Sequence, residues 1–414
     1  MCARVTRIIT LLALLWALIH SAQAEVTLSD VYRSAIASNE GLLSEEFTSR
    51  AAKAEVRAEW GKVLPQISAR TNVGVSKFTR EFSTRTIDET ETDTRSNAQL
   101  SQVLYSRATF KGIERAEASA DVAESQLEGR RLEIGFRAVE AYLEADRLRS
   151  EIEVLEKSLA SHERRVNQVE KKRERGLASR SEALDARARM DEVKAELAAL
   201  RFDLRAAVNR VGSIASISRE RLELAPVRVA FWRRTPQLLQ KDWEQVALAN
   251  SAEISRVRNE REVATATREQ ESGRFWPELE LSLQYDKNDT FATTLSEELR
   301  AQIQLQVPIY SGGTTSARAR AAARREDAAR HELRNVENQI QVEITRLTET
   351  LQGTYARIQS LETAEESAQA ALKAAERGFE EGVRSLSDLL DSRSRLTDIR
   401  RSMIEQTSEN AKRQ

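Results

Sequence analysis

Two short runs in this chain carry polar side chains at a spacing with a defined physical use. In Gly176-Leu177-Ala178-Ser179-Arg180-Ser181-Glu182 and in Gly382-Val383-Arg384-Ser385-Leu386-Ser387-Asp388, a glycine is followed three residues on by serine and three further by a carboxylate. Glycine suits the left-handed position that ends a helix. Serine with an acid three residues later forms a capping box that starts the next. Each run therefore reads as a tight turn between two helices. Asp388 and Asp391, three apart, share one helix face; taken alone, Asp388 completes the cap and Asp391 faces solvent. Catalysis has no comparable footing. No Walker loop, G-x-G-x-x-G, G-x-S-x-G or H-E-x-x-H occurs. His162 and His331 stand in charged helical runs and read as solvated residues. Carboxylates are abundant on exposed helix faces, so no acid–base pair stands out. The chain is expected to be no enzyme, with no metal and no cofactor.

The elements that would hold these turns are long helices. Phe136 to Arg175 contains neither glycine nor proline, and no proline follows Pro308. Apolar residues recur at three and four in Leu132, Phe136, Val139, Leu143, then in Leu148, Ile152, Leu155, Leu159. The second half repeats the pattern in Leu333, Val336, Ile340, Ile344, Leu347 and Leu351. Narrow apolar stripes flanked by charge belong to helices packed as coiled coils. A helix from about Ala108 to Arg175 would be on the order of 100 Å long at 1.5 Å per residue, so an elongated molecule is expected.

Four segments of period two lie between the helical runs. Ile67, Ala69, Thr71, Val73 and Val75 alternate with polar or small residues, as do Leu279, Leu281, Leu283 and Tyr285. The cleanest series is Leu299, Ala301, Ile303, Leu305 and Val307; a weaker one covers Ser96 to Tyr105. Strands of about ten residues with this alternation fit an outer-membrane barrel and equally a half-buried sheet on a soluble domain. Tyr105, Phe275, Trp276 and Tyr310 stand near strand ends, where barrels place interfacial anchors.

The chain is also duplicated. Gly176 to Arg187 matches Gly382 to Arg393 at a constant offset, and Val103-Leu104-Tyr105-Ser106 corresponds to Pro308-Ile309-Tyr310-Ser311. Residues 25–212 and 241–414 then form two helix-strand-strand-helix repeats joined by a link at 213–240. Residues 1–24 read as a secretory signal: Arg4 and Arg7, an apolar stretch from Ile8 to Ile19, and Ala22-Gln23-Ala24 as the cleavage site. An uncleaved anchor is the alternative. The only cysteine, Cys2, lies in this segment, so the mature chain can form no disulfide. Without Arg4 and Arg7, 62 basic residues of the original 64 face 65 acids, a balance that excludes the basic footprint of a nucleic-acid binder. No later segment is apolar enough for a transmembrane helix, so any membrane crossing must be a β-barrel.

This order of elements, with Leu64-Pro65-Gln66-Ile67, Pro308-Ile309-Tyr310-Ser311-Gly312-Gly313 and the turn from Gly382 to Asp391, resembles the TolC-like outer-membrane factor family over nearly the whole mature chain. The resemblance implies a mainly α fold with β. A homotrimer would share a twelve-stranded outer-membrane barrel, four strands per protomer, continued by a periplasmic α-helical barrel. It implies an exit duct for a tripartite efflux or type I secretion system in a Gram-negative outer membrane. Its partners would be outer-membrane lipid, a periplasmic adaptor and an inner-membrane pump. Physics agrees, because four strands alone would leave unpaired edges in lipid. The resemblance makes Asp388 and Asp391 carboxylate rings that narrow the pore. It makes Arg384, with Ser181 and Glu182, the lock of the entrance, and Phe379 replaces a tyrosine whose hydroxyl assists that lock. Gly176, Leu177, Ala178 and Ser179, with Gly382, Val383 and Ser385, become the adaptor contact. Two rival readings are a periplasmic adaptor and a soluble coiled-coil scaffold. The first conflicts with the duplicated plan. The second predicts polar residues on both strand faces.

Overall fold

The computed structural model describes residues 25–82, 85–218, 222–227, 242–290 and 293–413; the expected signal at 1–24 and most of the expected link lie outside them. The element order is α1 (Leu28–Ser38), α2 (Glu40–Gly61), β1 (Gln66–Phe82), β2 (Arg85–Ser106), α3 (Arg107–Glu174), α4 (Arg180–Ala215), α5 (Trp243–Asn250), α6 (Ala252–Gly273), β3 (Glu278–Thr290), β4 (Thr293–Gln306), α7 (Thr314–Glu380) and α8 (Leu386–Arg413). Helix, strand, strand, long helix and helix thus occur twice. Among the described residues no helix is long and apolar enough to cross a membrane.

The strands exceed the ten residues expected, at 17, 22, 13 and 14. The extra length of the first hairpin is rich in threonine, including Thr79, Thr90, Thr92 and Thr94, whose branched side chain favours strands without adding to apolar alternation.

The chain divides into two compact units. One comprises Ser44–Gly129 and Leu248–Ile340 and holds the sheet. Its four strands run antiparallel in the order β1-β2-β3-β4. The register places Ile67 opposite Leu100, Leu100 opposite Leu283, and Leu281 opposite Ile303, so one face collects the apolar set. The other face pairs Ser68 with Gln99, Gln99 with Gln284, and Gln284 with Arg300. In the same unit, Ile254 and Val257 of α6 pack on Leu333 and Val336 of α7. At the end of α6, a Cβ on Gly273 would meet the backbone N of Ala108 at 2.9 Å. Only glycine lets α6 end directly against the start of α3.

The other unit comprises Met1–Leu43, Arg130–Ala247 and Gln341–Gln414. Ile152 and Leu155 of α3 pack on Leu197 of α4, flanked by Leu159, Val193, Leu200 and Leu204. Leu143, Leu148 and Leu155 are buried as the stripes require, whereas Leu132 and Phe136 remain exposed in the single chain. The fully buried Tyr142 donates its hydroxyl to the carbonyls of Val26 and Ala225 at 3.0 and 2.6 Å. Burial pushes its pKa up to about 12, so the phenol stays protonated as the donor. Beside it Val26 and Leu224 form a parallel bridge.

Candidate functional site

The two glycine turns fold alike. Gly176 and Gly382 adopt φ of 72° and 76°, the left-handed region. The N–H of Leu177 reaches back to Lys172 O at 2.8 Å, and that of Val383 to Gly378 O at 2.8 Å. These are the backward bonds of a Schellman helix end. Ser179 then starts α4: its Oγ accepts from Glu182 N at 3.2 Å, and its own N–H donates to Glu182 Oε2 at 2.7 Å. Ser385 and Asp388 repeat this at 3.1 and 3.2 Å. The hairpins share one core, in which Val169, Ala183, Ala186, Leu386 and Leu390 are buried and Val166, Ala178 and Phe379 pack against them. At the turns themselves Leu177 and Val383 are 73% and 75% exposed.

Asp388 and Asp391 are both exposed on the first turns of α8. The Ser385 hydroxyl and backbone N–H, with Arg384 nearby, hold Asp388 below the usual carboxylate range. The structure does not bring Arg384 onto Ser181 or Glu182 within one chain. Glu182 is engaged by Ser179, and the Ser181 hydroxyl lies 3.0 Å from that of Ser179. The stem of Arg384 covers Gly378 instead, where a Cβ would come within 3.0 Å of its Cγ.

Phe379 has a role that the loss of a hydroxyl did not suggest. Arg165 lies 4.9 Å and Lys172 4.6 Å from its ring centroid. Both cations belong to α3, seven residues apart on one face, and together they hold the last turns of α7.

His162 corrects the reading of the two histidines. His331 is exposed as expected, but His162 is 5% exposed and its Nδ1 has no hydrogen-bond partner. The reason is phase. Ile152, Leu155, Leu159, His162, Val166 and Val169 recur at three and four, so residue 162 falls on the seam whatever charges flank it.

In the sheet unit the apolar face is bare. Ile67 and Leu299 are 78% and 74% exposed, and Val73, Val75, Ile303 and Leu305 also stand open. No helix among the described residues covers them, unlike a soluble half-buried sheet. The opposite face is hydrogen-bonded, with Asn97 Nδ2 donating to Asp286 at 2.8 Å. Tyr105, Phe275, Trp276 and Tyr310 are exposed near the ends of the strands, and Arg107 stacks 4.9 Å above Trp276.

The family profile described as Outer membrane efflux protein matches residues 31–215 and 243–412. The chain belongs to the outer membrane efflux protein family. This TolC-like membership makes it a transport protein, not a catalyst: an outer-membrane channel that extends into the periplasm. It is 25% identical over 388 residues to the outer membrane protein TolC of Vibrio cholerae, covering 91% of this chain and 86% of that one. It is 25% identical to the alkaline protease secretion protein AprF of Pseudomonas aeruginosa over 306 residues, 73% of this chain and 64% of AprF. The fold matches the crystal structure of the outer membrane protein VceC from Vibrio cholerae with a TM-score of 0.78 at 18% identity, covering 92% and 93% of the two chains.

Proposed function

We propose that this efflux channel works as a homotrimer, three sheets closing into one twelve-stranded barrel, as the passive exit duct of a tripartite efflux or type I secretion machine. The single observation that carries this reading is the sheet itself, which presents a bare apolar face and leaves β1 and β4 as open edges. Open edges cannot stand in hydrocarbon, where each unpaired N–H and C=O costs several kcal/mol. Pairing β1 of one copy with β4 of the next closes them. The exposed aromatic residues, all at the helix-side end of the strands, then sit at the periplasmic membrane interface. In this reading residues 25–212 and 241–414 are the two repeats, and 213–240 links them.

The hairpins form the periplasmic entrance. Leu177, Ala178, Ser179, Val383 and Ser385, on turns shaped by Gly176 and Gly382, meet the hairpin of an adaptor that leads to the inner-membrane pump. Three copies of Asp388 and Asp391 ring the pore and favour cations. Arg384, which forms no ion pair among the described residues, closes the entrance by pairing with Ser181 and Glu182 of a neighbouring copy. The native mass of protein extracted from outer membranes in mild detergent tests the assembly. A trimer of the cleaved chain is expected, and a soluble monomer would defeat the reading. For the lock, Arg384→Ala is expected to raise single-channel conductance in a planar bilayer; unchanged conductance would remove it.

A further inference from the structure

One buried polar side chain has no part in the channel reading. His162 interrupts the apolar seam of α3, with its Nδ1 unsatisfied and almost no solvent contact. Val169 shares a core with Ala183 and Ala186 of α4, and Leu155 shares one with Leu197, so His162 lies on the seam between these two clusters. The charges facing it are mostly cations: Arg165 on α3 itself, Arg189 on α4 and Arg393 on α8, with Glu192 on α4 as the opposing carboxylate. Each of those acids and bases already has its place. Arg393 binds Glu376 of α7 at 2.6 Å, Arg189 binds Glu192 at 2.9 Å, and Arg165 lies on the Phe379 ring.

A neutral imidazole fits this seam at the cost of one unpaired nitrogen. A protonated one would be a buried charge without a partner, beside three guanidinium groups, and both desolvation and repulsion act against it. We propose that His162 is a proton-operated release for the packing of α3 against α4 and α8 behind the entrance hairpins. Burial first, and then the three arginines, hold its pKa below the ordinary value of 6.5. Packing therefore has its full strength above about 6.5, where the released imidazole titrates. It weakens as pH falls from there toward the lower pKa of the packed state. Each pKa unit between the two states shifts the packed-to-released ratio about tenfold. Arg165, one turn from His162, also holds Phe379, so a charge at 162 acts on the group that fixes the second hairpin.

The consequence for gating rests on the channel reading, and the test separates the two. Spin labels on Glu163→Cys and Arg395→Cys, both exposed positions on α3 and α8, report the helix separation in the full-length detergent-solubilised protein. Pulsed electron paramagnetic resonance and single-channel conductance are recorded at pH 7.5 and 5.5. The native histidine is expected to give longer distances and a rise in open probability at pH 5.5. His162→Gln, which cannot take the charge, should be flat in both, and His162→Lys should show the long distance already at pH 7.5. A lengthening at pH 5.5 in His162→Gln equal to that of the native protein, or no lengthening in the native protein, overturns the proposal. A distance response with no conductance at either pH supports the release and defeats the channel. Conductance without a distance response does the reverse.

Discussion

The two glycine hairpins have nearly one backbone and opposite electrostatics. Their left-handed glycines differ by 4° in φ, and both carry the same backward bonds and capping box. Yet Val169 to Asp185 holds Lys171, Lys172, Arg173, Arg175 and Arg180 against Glu170, Glu174, Glu182 and Asp185. Ala375 to Asp391 holds only Arg377 and Arg384 against Glu376, Glu380, Glu381, Asp388 and Asp391. Local geometry is thus set by a few residues with special backbone and capping roles, and the remaining positions are free to differ in charge. The basic hairpin supplies a cation, Lys172, that grips the acidic one through Phe379. The acidic hairpin supplies the carboxylates proposed to face the pore.

That division of labour can be broken in three ways. The largest effect is expected from Asp391→Asn, which should lower the cation-to-anion permeability ratio of the channel in planar bilayers, while Asp185→Asn, its counterpart on the basic hairpin, leaves the ratio unchanged. Equal responses would show that charge is not partitioned between the hairpins. Next come Gly176→Ala and Gly382→Ala, each placing a Cβ in the left-handed region at a cost of about 1–2 kcal/mol. If the backbones are equivalent, the two should lower the midpoint of detergent-resistant unfolding by similar amounts. The smallest is Phe379→Leu, which keeps the apolar contact with the shared core but loses two cation–π contacts of about 0.5–1 kcal/mol each. It should raise conductance modestly, and Phe379→Tyr should not.

Much of this architecture was legible because period and punctuation are local properties. The stripe from Leu148 to Leu159, the alternation from Leu299 to Val307 and the two glycine turns each declare themselves within a dozen residues. The start of α3 at Arg107 follows directly on Ser106, one residue from the expected position. Strand length was less visible, since threonine-rich strand extends β1 and β2 beyond any apolar pattern. Whether the alternating face meets lipid or a helix was open in the sequence. It needed the three-dimensional finding that the face is bare. What escaped entirely depends on partners remote in the chain. The grip of Arg165 and Lys172 on Phe379 joins residues about two hundred positions apart, which no spacing rule reaches. His162 could have been placed on its seam by counting in threes and fours from Ile152, but the charged residues around it concealed the phase.

The hydroxyl of Tyr142 joins segments that emerge from the translocation machinery at very different times. Val26 comes out near the beginning, and its partners Leu224 and Ala225 appear only after both strands of the first hairpin and the whole of α3 and α4 have followed. Until then the N-terminal segment lacks its bridge and Tyr142 lacks the Ala225 carbonyl. Non-local contacts of this kind close late in folding. The apolar faces of β1 and β2 are therefore in the periplasm before the first repeat can be fastened. A chain built in this order passes through an aggregation-prone interval during its own delivery, and its safe arrival at the membrane depends on being held in that interval.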